Sequence, residues 1–213
     1  MTERTVVHLL RHGEVDNPEK ILYGRLPGYH LSELGLRMAD RAASYFADRD
    51  VTVVTASPLE RAQETGTPIS TVHGLSLGSD ERLIEAANVF EGRPFGVGDG
   101  ALRRPQAWIH LRNPYKPSWG EAYAEIARRM LAAVDTAREA ALGHEAVLVS
   151  HQLPIWVARL RAENRRFLHD PRRRECSLAS VTSFEYSGST LVTISYAEPS
   201  FDLLPGAQKV AGA

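Results

Sequence analysis

The chain has 213 residues, 43% of them hydrophobic and 24% charged, with a formal net charge of -1. That length can bury a sizeable core in a single domain, and the balanced charge gives no reason to expect nucleic acid or an anionic membrane as a partner. One cysteine, Cys176, excludes an internal disulfide and a cysteine-based zinc site.

In chain order, Val6–Leu10 reads as a short buried strand; it is too brief, and interrupted by His8, to be a signal-peptide core. Ser32-Glu33-Leu34-Gly35 opens a helix running to about Asp48, with Leu36, Ala39, Ala43 and Phe46 on one face. Val51–Thr55 is a second strand, and Ser57-Pro58 starts a helix through about Thr67. Residues 86–120, rich in Gly, Pro, Arg and aromatics, read as an irregular lid or substrate-rim insertion with one short helix near Gln106–Leu111. A long alanine-rich helix spans Glu121–Leu142. A third strand, Ala146–Val149, precedes a helix beginning with Pro154–Leu160. Ser180–Tyr186 and Thr190–Tyr196 alternate as a hairpin around Ser187-Gly188-Ser189.

Strands alternating with helices predict one α/β domain over 1–213, with a largely parallel sheet. No segment reaches the ~20 apolar residues of a membrane helix, so a cytoplasmic location is expected. In such sheets ligands bind beyond the carboxyl ends of the strands. Arg11-His12-Gly13-Glu14 follows the first strand, Ser57–Thr65 the second and Ser150-His151-Gln152 the third. If the strands are parallel neighbours, Arg11, His12, Arg61 and His151 converge on one rim. That gathering of cations and imidazoles would repel itself unless it binds a multivalent anion, and guanidinium forks match phosphate oxygens. A lone strand-end histidine is more often structural. His8, His30, His73, His110, His144 and His169 take that reading.

These segments resemble the histidine phosphatase superfamily, also called phosphoglycerate mutase-like. The resemblance rests on Leu9–Glu14, Ser57–Thr65, Arg82-Leu83-Ile84-Glu85, Glu91-Gly92, Gly120-Glu121 and Val149-Ser150-His151, in the family's order. It implies a three-layer α/β/α fold with a largely parallel mixed sheet. It also implies a phosphatase in which His12 is the nucleophile, Arg11, Arg61 and His151 hold the phosphoryl group, and Glu85 is the general acid. Glu14 and Glu91 are then braces, Glu81 solvated, and Ser57, Glu64 and Thr65 local organisers. Neither metal nor cofactor is implied, because the arginines take the part of a metal ion. Asn17, Gln152 and Arg25 are secondary candidates for substrate contact.

Asn17 stands one residue earlier than the family pattern, and Gly24–Gly35 (GRLPGYHLSELG) lacks the usual Asp. Gly120-Glu121-Ala122 replaces a frequent Gly-Glu-Ser. These departures touch the rim, where Arg103, Arg104, Trp108 and Tyr115 are further candidates, and so bear on substrate identity. The expected partner is a small phosphorylated metabolite. Competing readings are a phosphoglycerate mutase with a bisphosphoglycerate cofactor, a non-catalytic phospho-ligand module, and polyanion binding by the arginine-rich stretch Arg159–Arg174. Oligomeric state has no sequence signal.

Overall fold

The computed structural model describes residues 3–93 and 120–207. Most of the expected 86–120 insertion, with Arg103, Arg104, Trp108, Tyr115, His110 and the short helix at Gln106–Leu111, lies outside the described residues. Its two ends meet: Asn88 bridges Gly120, and Glu121 N donates to Ala87 O at 3.1 Å.

Six strands, β1 (Arg4–Arg11), β2 (Val51–Ala56), β3 (Gly78–Ser79), β4 (Glu145–Ser150), β5 (Val181–Ser187) and β6 (Thr190–Ala197), form one sheet in the order β3-β2-β4-β1-β5-β6. β3, β2, β4 and β1 run parallel; β5 is antiparallel to β1, and β6 to β5. The central strands alternate between two cores, as strand geometry requires. Val7, Leu9, Ala146, Leu148 and Phe184 face one core with α3 (Tyr123–Ala140) and α4 (Gln152–Ala162). Leu10, Val147, Val149 and Val181 face the other with α1 (Glu33–Phe46) and α2 (Glu60–Val72). Burial on both faces explains why β1 and β4 read as continuous apolar runs.

Several boundaries differ from expectation. α2 begins at Glu60 rather than Ser57, because Ser57 N continues the sheet by donating to Val149 O at 2.9 Å and the residue before a proline avoids the helical region. It then continues past Thr67 through Pro68 to Val72: burying Ile69 and Ser70 outweighs the local cost of a mid-helix proline. α4 starts at Gln152, which puts Pro154 in its tolerant first turn. Leu36 is half exposed; the buried stripe of α1 is Gly35, Met38, Ala39, Ala42, Ala43 and Phe46. The N-terminus of α1 matches expectation, with Ser32 Oγ accepting from Gly35 N at 3.0 Å.

The register fixes the site. Arg11 lies opposite Ser150, and Ala56 opposite Val149, so the residues after β1, β2 and β4 leave the sheet side by side.

Candidate active site

His12 follows β1 directly and is fully buried. Its Nδ1 lies 2.8 Å from Gly13 O, an atom that can only accept, so Nδ1 carries the proton. Burial, and next the charges of Arg61 and Arg11, hold its pKa well below the usual histidine range. The ring is therefore neutral, and Nε2, buried with no hydrogen-bond partner among the described residues, presents a lone pair.

The backbone holding this ring is tightly built. His12 N donates to Ser150 O at 3.1 Å, and Gly13 N donates to Thr65 Oγ1 at 3.2 Å. Glu14 takes the Ser32 hydroxyl at 2.5 Å, tying the loop to the cap of α1. The loop presses on α1 so closely that a Cβ on Gly35 would stand 2.0 Å from Glu14 O. Gly35→Ala should therefore cost about 1–3 kcal/mol of stability and displace the His12 loop. Urea unfolding measures the first effect; an unshifted midpoint would show that the close approach is not obligatory.

Two buried arginines, whose charges act on His12, and a second histidine lie beside its ring. Arg11 donates one bond, Nη1 to Cys176 O at 2.7 Å; Arg61 donates Nη2 to Gly24 O at 2.6 Å and lies over the Tyr23 ring. Arg11 Nε, Arg61 Nε and Nη1, and His151 Nδ1 have no partner among the described residues. The His151 ring lies 5.1 Å from that of His12, and its Nε2 is 2.9 Å from Ser57 Oγ. Burial, and next Arg61, keeps His151 well below the usual histidine pKa.

Glu85 closes the acidic side. It is buried, one carboxylate oxygen accepts from Ala86 N at 2.7 Å, and burial raises its pKa against the opposing pull of Arg61, Arg11 and Arg129. A clamp from distant sequence holds its backbone. Arg129 Nη1 donates to Arg82 O and Ile84 O, while its other nitrogens grip both oxygens of Glu121. Arg25 Nε donates to Glu85 O at 2.6 Å, and its Nη2 to Glu121 at 2.9 Å.

The structure thus brings together Arg11, His12, Arg61, Glu85 and His151. The three secondary candidates have other engagements. Asn17 closes its own loop, with Nδ2 donating to Ile21 O and Oδ1 accepting from Ile21 N. Arg25 is held by Glu85 O and Glu121. Gln152 spans Arg174 and Cys176 O. Glu91 braces Asn88 N at 3.3 Å, and Glu81 is exposed. Glu64 ties the 28–31 loop down by accepting from Leu31 N at 2.7 Å and pairing with His30. His8, buried within β1, contacts Ser183 and Glu145.

Sequence reasoning missed Tyr23 and Arg129; Ser57, read as a local organiser, reaches His151 from 94 positions away. Tyr23 is buried with its hydroxyl unpartnered among the described residues, and burial pushes its pKa up to about 12. An aromatic residue directly before Gly24 was the available signal. Arg129 had none, since it lies 45–47 positions from the carbonyls it holds.

Residues 7–198 match the profile of the histidine phosphatase superfamily (branch 1). The chain is 57% identical over 199 residues to an uncharacterized protein of Mycobacterium tuberculosis, covering 93% of this chain and 98% of that one. It is 31% identical over 186 residues to a probable phosphoglycerate mutase of Yersinia pestis, covering 82% and 83%. Among solved structures, a mycobacterial glucosyl-3-phosphoglycerate phosphatase in complex with VO3 superposes with a TM-score of 0.71 at 25% identity, over 92% of this chain and 98% of that one. This chain belongs to the histidine phosphatase superfamily.

Proposed function

We propose that this superfamily member is a metal-independent phosphatase that hydrolyses a small phosphate monoester through a phosphohistidine on His12. The observation that carries the reading is the group of buried donors on Arg11, Arg61 and His151, unpartnered among the described residues, beside a His12 ring whose Nε2 is likewise unpartnered. Leaving buried donors unpaired costs about 1–3 kcal/mol each. Phosphoryl oxygens supply their acceptors, and the guanidinium forks suit them.

In the proposed reaction, His12 Nε2 attacks phosphorus and the bond to the leaving oxygen breaks. Glu85, whose pKa burial raises, gives its proton to the departing alkoxide. Water then attacks the phosphohistidine, Glu85 takes a proton from it, the P–N bond breaks and phosphate departs. Arg11 and Arg61 stabilise charge on the equatorial oxygens, as a metal ion does elsewhere. Arg129, Arg25 and Glu121 act as positioning residues for Glu85.

His151 serves as a donor only if Nδ1 carries its proton, and a hydrogen bond from Ser57 Oγ–H to Nε2 selects that tautomer. Ser57→Ala should lower kcat about tenfold, equal to the loss of one hydrogen bond of ~1.4 kcal/mol, with a smaller change in KM. Unchanged kcat would remove Ser57 from this role.

The deciding experiment is rapid-quench trapping with labelled esters, chelator present, followed by a panel of sugar phosphates, phosphoglycerates and nucleotides. An acid-labile phosphohistidine and net phosphate release support the reading; activity lost to chelation contradicts it. The likeness to a probable phosphoglycerate mutase keeps a second reading in view, since a mutase shares the phosphohistidine. Interconversion of 3-phosphoglycerate and 2-phosphoglycerate with little hydrolysis would favour it. A non-catalytic module would trap no label at all. No nucleic-acid role is proposed for the Arg159–Arg174 stretch: Arg159, Arg165 and Arg172 pair with Glu163, Glu175 and Asp170.

A further inference from the structure

Every described arginine but three is either ion-paired or exposed. Arg37, Arg93, Arg161, Arg166 and Arg173 are exposed, and the others pair with carboxylates. The three are Arg11, Arg61 and Arg174. A guanidinium drawn out of water without a counter-charge is costly unless an anion meets it. For Arg11 and Arg61 the phosphoryl group is that anion. Arg174 makes no ion pair with a described residue, although the charge of Glu85 acts on it.

Arg174 is held on two sides by neutral acceptors. Its Nε donates to His169 Nε2 at 2.9 Å and its Nη1 to Gln152 Oε1 at 3.2 Å. His169 is fixed for this part: its Nδ1 donates to Phe167 O at 2.6 Å, so Nε2 is bare, and its ring packs near Tyr123 and Trp156. Burial lowers the pKa of His169, which keeps it an acceptor, and burial also lowers that of Arg174. Nη2 of Arg174 makes no hydrogen bond to a described residue. A short relay joins this arginine to the phosphate pocket: Gln152 Nε2 and Arg11 Nη1 both donate to Cys176 O, at 3.3 and 2.7 Å.

We infer that Arg174, aimed by His169 and Gln152, is a specificity-determining residue that receives a second anionic group on the substrate. The substrate is then a short phosphate monoester carrying a further carboxylate or phosphate, the scissile group lying between Arg11 and Arg61. This rests on the phosphatase reading for which of the two groups is cleaved, but not for the binding itself. A neutral alcohol phosphate fills one anion site and leaves Arg174 without an ion pair.

The test is calorimetric binding of three probes to the wild-type chain and to Arg174→Gln: ethyl phosphate, phosphoglycolate and ethanediol bisphosphate. The wild type should bind at least one doubly functional probe about tenfold or more tighter than ethyl phosphate, since a charge-assisted forked contact is at stake. Preference for phosphoglycolate identifies a carboxylate, and preference for the bisphosphate a phosphate. Arg174→Gln should collapse the preference to about twofold or less. Arg174→Lys, which keeps the charge but loses the fork, should retain only part of it and serves if the glutamine variant does not fold. A wild type without preference, or a preference that both variants keep, overturns the inference. Hydrolysis of p-nitrophenyl phosphate by the wild type is measured alongside. Preference without any turnover sinks the phosphatase reading and leaves this subsite standing; turnover without preference does the reverse.

Discussion

His12→Ala is expected to lower kcat/KM by about 10⁴-fold or more and to abolish the trapped phosphohistidine. The size follows from what is removed. Arg11, Arg61 and His151 remain to bind a phosphoryl group, so substrate affinity should fall far less than turnover. Phosphorus then has no nucleophile except water, which must be oriented in a pocket shaped around an imidazole. The same ring sets the acid limb of the pH profile. Because burial and the two arginines depress its pKa, Nε2 stays unprotonated well below the ordinary histidine range. The kcat/KM profile, which reports the free enzyme, should hold its activity below the usual histidine pKa and fall only at lower pH. An acid limb centred at or above the ordinary histidine value would contradict the assignment, as would a labelled His12→Ala variant.

Glu85→Gln should reduce kcat/KM by about 10²- to 10⁴-fold for alkyl esters, the usual worth of a positioned general acid. The loss should shrink markedly for p-nitrophenyl phosphate, whose phenolate leaves without protonation. Such leaving-group dependence separates a proton donor from a residue that merely shapes the pocket. The sign of the pH effect follows from burial. Glu85 has its pKa raised, so the donating form persists above the normal carboxylate range and is lost as pH climbs through the raised value. The alkaline limb of kcat/KM for alkyl esters should therefore belong to Glu85 and vanish in Glu85→Gln. Equal losses for alkyl and p-nitrophenyl esters would move the acid elsewhere, with Glu14 the first residue to examine.

β1 and β4 were readable because strands buried on both faces are apolar at every position, so a continuous run needs no partner to be recognised. The start of α1 was readable because a serine cap is a local hydrogen bond. α2 was read three residues early at one end and five short at the other. Its first residues belong to the sheet edge, and its passage through Pro68 depends on burial that no window of sequence contains. The two-residue β3 carries no pattern of its own; its pairing with β2 alone defines it.

The chemistry divides in the same way. Sequence by itself determined which reactive side chains exist and that they follow three strands, since strand periodicity and parallel order send such residues to one rim. Only the tertiary structure decided that the imidazole of His12 is neutral with Nε2 bare, that Ser57 meets His151, and that a clamp of Arg25, Arg129 and Glu121 holds Glu85. It also decided which arginines make no ion pair among the described residues. Desolvation and Coulomb energy depend on distance and burial in space, and residues tens to more than a hundred and fifty positions apart along the chain set both.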